Sequence, residues 1–184
     1  CMKNIKQLLN ETEIGITIER LCHELIENHD DFKNTIIVGV QPRGTFLNQR
    51  ILDKLKCYAK IKNLKSGNID ISFYRDDLRR RSEPIVPNVM DMHLTVEGKR
   101  VVLIDDVLYT GRSIRSAIDA LMTFGRPKSV ELLTLINRRF SRHFPIQPNY
   151  IGRTIDILDS ERVIVEWKEV NGKDRILIGN NTHE

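Results

Sequence analysis

Two adjacent acids, Asp105 and Asp106, directly follow an apolar run from Val101 to Ile104. Beyond them, a helical pattern of apolar residues begins at Ile114 and stops at Gly125. This order predicts a buried strand, a polar loop and a helix, with both acids at the carboxyl end of the strand. Because open α/β sheets bind ligands at that end of their strands, we expect the acids to face a ligand.

The segment between the acids and the helix adds a second kind of group. Residues 110–113 read Thr-Gly-Arg-Ser, which places hydroxyls, a glycine and backbone N–H groups at the start of a helix. Such a helix N-terminus binds anions, and a monophosphate fits it well. Two carboxylates repel phosphate, but they suit ribose hydroxyls or a metal that bridges to them. Together the two halves predict a pocket for a ribose 5-phosphate; the alternative is that the acids merely cap the helix.

A second strand, loop and helix lie earlier in the chain. Thr35 to Val40 read as a buried strand, and Gln41-Pro42-Arg43-Gly44 lead into a helix. Pro42 stiffens this loop, and Gly44 lets the backbone approach a ligand closely. Arg43 supplies a cation at the carboxyl end of the strand. The alternative is an ordinary turn.

A long connection follows a third predicted strand, which covers residues 69–73. The connection runs from about residue 75 to residue 99 and carries Arg75, Arg79 and Arg80. Connections of this length in compact domains are usually lids or disordered segments. We predict a flexible lid that closes over a phosphate-bearing ligand. The alternative is a solvated loop with surface arginines.

Length and composition fit one globular domain. The chain has 184 residues, 40% of them apolar and 29% charged, and its net charge is +4. This mild charge permits an anionic substrate or RNA and requires neither. No apolar run reaches the length of a membrane span, and the three cysteines form no CxxC pair. We therefore expect a cytoplasmic protein that makes no contact with a membrane and contains no zinc ribbon.

The remaining patterns complete the predicted α/β order. They indicate a helix over 17–28, capped by Thr17, and a strand over 130–136. Residues 137–146 are irregular and basic. Strands over 162–167 and 175–179 are joined by a turn that contains Asn171-Gly172, a typical hairpin sequence.

The stretch VVLIDDVLYTGRS resembles the phosphoribosyl pyrophosphate (PRPP) motif of type I phosphoribosyltransferases. The resemblance implies their α/β fold: a central, mostly parallel sheet flanked by helices, with a small hood and a flexible lid loop. It implies one domain over residues 1–184, with the lid at about 75–99 and a C-terminal hairpin at about 162–179.

The wider pattern is similar to one subfamily, the pyrimidine operon regulatory proteins (PyrR). The shared segments are YRDDL at 74–78, DDVLYTGR at 105–112 and Gly-Arg-Pro at 125–127. The subfamily implies the reaction of uracil with PRPP to give UMP and pyrophosphate, with Mg²⁺ as cofactor. It also implies pyrimidine-operon RNA as a further partner, and a homodimer or higher oligomer.

The resemblance assigns roles to particular residues of this chain. Four are implied to be catalytic: Asp105, Asp106, Arg43 and Arg79. The 5-phosphate of PRPP would be bound by Tyr109, Thr110, Gly111, Arg112 and Ser113. The pyrophosphate would be bound by Pro42, Arg43, Gly44, Arg75 and Arg80. The base would contact Val107, Leu108, Asn137 and Arg138. A metal would be held by Asp105 and Asp106, mostly through PRPP hydroxyls or water.

Some positions depart from the subfamily and keep two alternatives open. Asn137 stands where the family has aspartate beside the base pocket, and Pro42 stands where it commonly has threonine. Acidic residues in the predicted helix 17–28 should weaken binding to RNA phosphates. The alternatives are a nucleotide-sensing RNA-binding attenuator with vestigial catalysis, and a purine phosphoribosyltransferase. Tyr109 counts against the purine, since hypoxanthine–guanine enzymes have an aspartate at this place to protonate a ring nitrogen.

Overall fold

The computed structural model describes residues 3–58, 61, 64–71 and 95–180. The strands and helices in chain order are β1 (Lys3–Leu9), α1 (Glu11–His29), β2 (Thr35–Val40), α2 (Gly44–Lys56), β3 (Lys65–Ile69), β4 (Arg100–Leu108), α3 (Arg112–Leu121), a 3₁₀ turn (Met122–Phe124), β5 (Ser129–Arg138), β6 (Tyr150–Ile155), β7 (Glu161–Glu166), α4 (Lys168–Asn171) and β8 (Arg175–Asn180). Among these residues, no helix is both long and apolar enough to cross a membrane.

Five strands form a parallel sheet in the order β3-β2-β4-β5-β6. β2 is buried at every position, and β4 is buried from Val101 to Asp106. Strands of a parallel sheet are apolar along their length because helices cover both faces. One core cluster joins the sheet to α1 and α2, and a second cluster joins the opposite face to α3. The predicted α/β fold with a mostly parallel sheet flanked by helices is confirmed.

The order of the strands creates a crevice between β2 and β4. The chain leaves β2 through α2 on one face of the sheet and leaves β4 through α3 on the other face. A point where successive helices diverge to opposite faces opens a cleft at the carboxyl ends of the strands. Pairing of β2 with β4 ends at Gly39 opposite Ile104, whereas β4 pairs with β5 as far as Leu108 opposite Asn137. The last part of β4 therefore borders the crevice.

A second, three-stranded sheet in the order β1-β8-β7 forms the hood. β7 and β8 pair antiparallel from Glu161 opposite Asn180 to Glu166 opposite Arg175. Their connection contains α4 and then Gly172, whose φ of 77° closes the turn. β1, which the sequence analysis did not predict, joins the free side of β8.

The predicted start of the first helix at Thr17 is wrong. α1 begins at Glu11 and is capped by Asn10, whose side chain accepts a hydrogen bond from the Glu13 N–H at 2.9 Å. The Glu13 carboxylate accepts the Asn10 N–H at 2.8 Å, which completes a capping box. Thr17 lies inside the helix and donates its hydroxyl to the Glu13 carbonyl at 2.7 Å. Residues 11–13 are exposed and Ile14 is the one buried residue among the first six of the helix, so helical periodicity alone did not reveal this start.

The predicted strand over 69–73 also needs correction. β3 covers Lys65–Ile69, and only Ile69 belongs to the predicted strand over 69–73. Ile71 is buried but lies beyond the pairing with β2, and residues 72–73 lie outside the described residues. β6 pairs with β5 at the edge of the sheet and was not predicted. Most of the predicted lid, including Arg75, Arg79 and Arg80, also lies outside the described residues.

Candidate active site

The two acids lie in the second half of β4, where it borders the crevice. The strand extends through both of them, because β5 continues to pair with it after β2 has ended. Asp105 is 9% exposed and Asp106 is 5% exposed. Both acids are therefore held by a rigid strand, with little freedom to turn away from a ligand.

Among the described residues, neither acid forms a salt bridge, although the charge of Arg43 acts on both. Asp105 accepts the Asp106 N–H at 3.0 Å, and the buried Oδ2 of Asp106 has no hydrogen-bond partner among the described residues. Burial raises the pKa of Asp105, and the charge of Asp106 raises it further. Burial also raises the pKa of Asp106, against the opposing effect of Arg43. A cation or a pair of hydroxyl donors in the crevice would relieve this cost.

The loop 41–44 is held between the strands on either side of β2. The Gln41 N–H donates to the Ile69 carbonyl at 2.9 Å, and the Gln41–Pro42 peptide bond is cis. At the other end, a Cβ atom on Gly44 would lie 3.2 Å from the Cα atom of Asp105. Arg43 lies between these anchors and is close enough to lower the pKa of both acids. The loop 41–44 thus lies beside the strand that carries both acids.

The turn after β4 leads directly into α3. Gly111 caps the helix with a φ of 87°, a conformation that favours glycine. The Thr110 hydroxyl accepts the Arg112 N–H at 3.4 Å, and Ser113 lies half-buried in the first turn. A ten-residue helix thus begins directly after this turn, and a helix N-terminus of this kind can bind an anion. Tyr109 begins this turn and is 39% exposed.

The predicted base-contacting residues lie on β4 and β5 next to the acids. Asn137 pairs with Leu108 in the sheet, and its Nδ2 donates to the Thr154 hydroxyl at 3.4 Å. Arg138 is 4% exposed, and its guanidinium lies 3.9 Å from the centre of the Tyr109 ring. The Leu108 side chain packs in the core beside α3, so only its backbone is available to a base.

Comparison with known proteins decides the family. The phosphoribosyl transferase domain family matches residues 4–169 of this chain. The chain belongs to this family. The Bifunctional protein pyrR of Enterococcus faecalis is 38% identical over 173 residues, covering 94% of this chain and 96% of the relative. The Bifunctional protein PyrR of Halalkalibacterium halodurans is 39% identical over 178 residues, covering 95% and 97%.

Solved structures of phosphoribosyltransferases share the fold. A hypoxanthine phosphoribosyltransferase of Staphylococcus aureus superposes with a TM-score of 0.71 at 21% identity, covering 98% of this chain and 92% of that one. A hypoxanthine phosphoribosyl transferase of Trypanosoma cruzi gives 0.71 at 18% identity, covering 96% and 91%. At these identities the likeness extends to the fold alone.

The phosphoribosyltransferase fold brings most of the predicted site residues to one crevice. The acids of β4, the loop 41–44 and the turn 109–113 border it, with Asn137 and Arg138 alongside. Arg142, which the sequence analysis left without a role, also lies here. Its guanidinium donates to the Tyr109 carbonyl and to Oδ1 of Asn137. The basic character of residues 137–146 was visible in the sequence, but the contacts of Arg142 were not.

Proposed function

We propose that this phosphoribosyltransferase converts uracil and PRPP into UMP and pyrophosphate. The observation that supports it most directly is the pair of buried acids on β4, separated by two residues from the turn 109–113 at the N-terminus of α3. The spacing suits a ribose 5-phosphate, with its hydroxyls at Asp105 and Asp106 and its phosphate at residues 109–113. The similarity to PyrR proteins over nearly the whole chain supports uracil as the base.

In this reaction the bond from the ribose C1 to pyrophosphate breaks, and its electron pair leaves with the pyrophosphate. A ring nitrogen of uracil forms the new bond to C1 and releases its proton. Positive charge develops on the sugar in between, so Asp105 and Asp106 stabilise the transition state more than the ground state. Arg43 stabilises the leaving pyrophosphate, and the arginines at 75, 79 and 80 are proposed to close over it.

Phosphoribosyltransferases generally use Mg²⁺ with PRPP, and the acids of this chain fit that ion. Mg²⁺ prefers hard oxygen ligands and keeps several waters, so two carboxylates and the substrate suffice. The unpartnered Oδ2 of Asp106 is a suitable oxygen. When bound, the ion would neutralise the pyrophosphate as it leaves. Asp105 and Asp106 would hold it mostly through PRPP hydroxyls or water.

The residue before Thr110 supports a pyrimidine as the base. A purine enzyme of this fold uses an aspartate there, but this chain has Tyr109 with Arg138 stacked 3.9 Å from its ring centre. A cation on the ring face disfavours a neighbouring protonated base nitrogen, because both would be positive. Val107, the Leu108 backbone, Asn137 and Arg138 are the proposed base contacts.

The direct experiment follows UMP and pyrophosphate in a mixture of protein, PRPP, uracil and Mg²⁺. We expect equal amounts of both products, and no product with Asp106→Asn at the same protein concentration. Products formed equally by the variant would contradict the role of the acids. The absence of any UMP with folded wild-type protein would contradict the proposed reaction. An enzyme of this kind would work in the cytoplasm, as a homodimer or higher oligomer.

A second candidate is RNA-dependent regulation, which the name "Bifunctional protein PyrR" of the relatives favours. The basic groups on α1 and α2 are largely occupied, however. Arg20 pairs with Glu24 and donates to the carbonyls of Ile151 and Gly152 at 2.9 and 2.7 Å, and Lys54 pairs with Glu19. Phosphate contacts dominate RNA affinity, so this face should bind RNA weakly.

A filter-binding titration on pyrimidine-operon leader RNA across a range of salt concentrations separates the two candidates. Tight binding at a specific site that responds to UMP supports a regulator. Weak binding that disappears with modest salt supports an enzyme without RNA function.

A further inference from the structure

Arg142 connects the turn that follows β4 with the residues that border the base. Its guanidinium donates to the Tyr109 carbonyl, and another of its N–H groups donates to Oδ1 of Asn137 at 2.7 Å. The same nitrogen is 3.4 Å from the Arg138 carbonyl. The Arg142 Cδ atom would lie 3.6 Å from a Cβ atom on Gly111, so its stem packs against the turn as well. One side chain thus holds two neighbouring parts of the site.

The backbone after Arg142 holds the same turn. The N–H groups of His143 and Phe144 both donate to the Thr110 carbonyl, at 2.9 and 3.3 Å. The carbonyls of two successive peptide units, those of Tyr109 and Thr110, are therefore fixed toward residues 142–144.

This arrangement determines where the N–H groups of the turn point. In a trans peptide unit the C=O and N–H bonds are in one plane and point in opposite directions. Because the Tyr109 and Thr110 carbonyls face residues 142–144, the N–H groups of Thr110 and Gly111 face away from that segment. These N–H groups precede the first turn of α3, where a phosphate would be bound.

We propose that Arg142 is a positioning residue that orients the N–H groups of the turn 109–113 before the 5-phosphate arrives. This inference rests on the proposed function, since it takes that turn as the phosphate site. Orienting the donors in advance avoids ordering them at the moment of binding. An arginine suits the task because its planar fork reaches two acceptors at once, which a lysine ammonium at the end of a flexible stem does not.

The test compares the binding of UMP and uridine, which differ only in the 5-phosphate, by isothermal titration calorimetry. The ratio of the two dissociation constants measures what the phosphate contributes. We expect Arg142→Met to lower this ratio about tenfold, the size expected for a lost hydrogen bond to a charged group. Arg115→Met is the matched control, because the exposed Arg115 side chain pairs with Asp119 and its loss should leave the ratio unchanged. Asn137→Ala should weaken uridine binding and keep the ratio, since the bond to the Tyr109 carbonyl remains.

Arg142→Lys separates positioning from simple charge. A positioning role predicts that the lysine variant loses nearly as much of the ratio as the methionine variant, with both variants still folded by circular dichroism. A lysine variant with the wild-type ratio would overturn the proposal, as would a methionine variant that keeps the ratio. If the wild-type protein binds UMP no better than uridine, the phosphate site itself, and with it the proposed function, is wrong.

Discussion

Gly44 lies so close to β4 that a Cβ atom at its position would stand 2.3 Å from the carbonyl oxygen of Ile104. Side-chain carbons do not approach a backbone oxygen so closely, so any other residue would displace the loop or the strand. The contact brings Arg43 next to Asp105, the residue that follows Ile104. The absence of a side chain at Gly44 thus lets the backbone of the loop 41–44 approach the strand that carries the acids.

Gly44→Ala should lower phosphoribosyl transfer by at least tenfold, because the added methyl pushes Arg43 away from the acids. The same clash should destabilise the protein by about 1–3 kcal/mol, the usual range for overpacking. Steady-state rates of UMP formation and urea unfolding measure the two effects. Gly15→Ala is the control: it has no atom within 4 Å of the new methyl and lies inside α1, where alanine is favoured. Unchanged kcat/KM in Gly44→Ala would show that the close contact has no role in the site.

Asp106→Asn should abolish transfer and leave the fold intact. The amide cannot stabilise positive charge on the ribose, whereas the folded state loses only a buried carboxylate whose pKa is raised by burial. We therefore expect a melting temperature equal to or above that of the wild type at pH 7, together with no detectable UMP. The double variant Asp105→Asn with Asp106→Asn should behave in the same way. Near wild-type turnover in the double variant would refute the role of both acids.

Arg79→Ala tests the predicted lid, which lies outside the described residues. If Arg79 closes over the departing pyrophosphate, its contact is made chiefly in the transition state. The variant should then lower kcat more than it weakens PRPP binding, measured by initial rates and by direct titration. An equal loss in kcat and affinity would indicate a simple binding contact.

His29 lies near the amino ends of the strands, at the end of the sheet opposite the crevice. It should make the stability of the protein depend on pH. Its side chain is fully buried, with Nδ1 at 2.9 Å from the Thr35 hydroxyl and Nε2 at 3.1 Å from the Tyr150 hydroxyl. Burial lowers the pKa of His29, and the nearby Arg100 lowers it further, against the opposing effect of Glu131. The folded protein therefore keeps His29 neutral at a pH where the unfolded chain binds a proton.

Stability should consequently fall as the pH drops below about 6.5, the ordinary pKa of histidine, by up to ~1.4 kcal/mol per pH unit. The loss should level off once the pH is below the lowered pKa in the folded state. Urea unfolding between pH 5 and pH 7.5 measures the slope of stability against pH. His29→Gln should reduce this slope by the amount that corresponds to the uptake of about one proton on unfolding. An identical slope in the variant would assign the pH dependence to other groups.

The sequence predicted the parts of the site that short segments encode. An apolar run ending in Asp105 and Asp106, followed by Thr110-Gly111, determines a strand, a turn and a helix through local patterning alone. The phosphoribosyltransferase family and its fold were implied by the resemblance of residues 101–113 to the PRPP motif, and both are confirmed. The start of α1 was also encoded locally, in the capping box of Asn10 and Glu13, but the periodicity of apolar residues did not reveal it.

The sequence alone did not predict contacts between segments that lie far apart in the chain. Arg142 bonds to the Tyr109 carbonyl across 33 positions of sequence, and nothing in its neighbourhood distinguishes it from the nearby arginines. Likewise, β1 joins β8 from the opposite end of the chain, so its partner is known only once the fold has formed. The roles of individual site residues stay predictions that the experiments above address.

A nucleobase panel tests the central claim most directly. Uracil, cytosine, hypoxanthine and guanine are each supplied with PRPP and Mg²⁺, and pyrophosphate release is followed for every base. We predict that uracil reacts at least about a hundredfold faster than either purine, as expected of a site that recognises its base by hydrogen bonds. A purine that reacts as fast as uracil, or faster, would contradict the account.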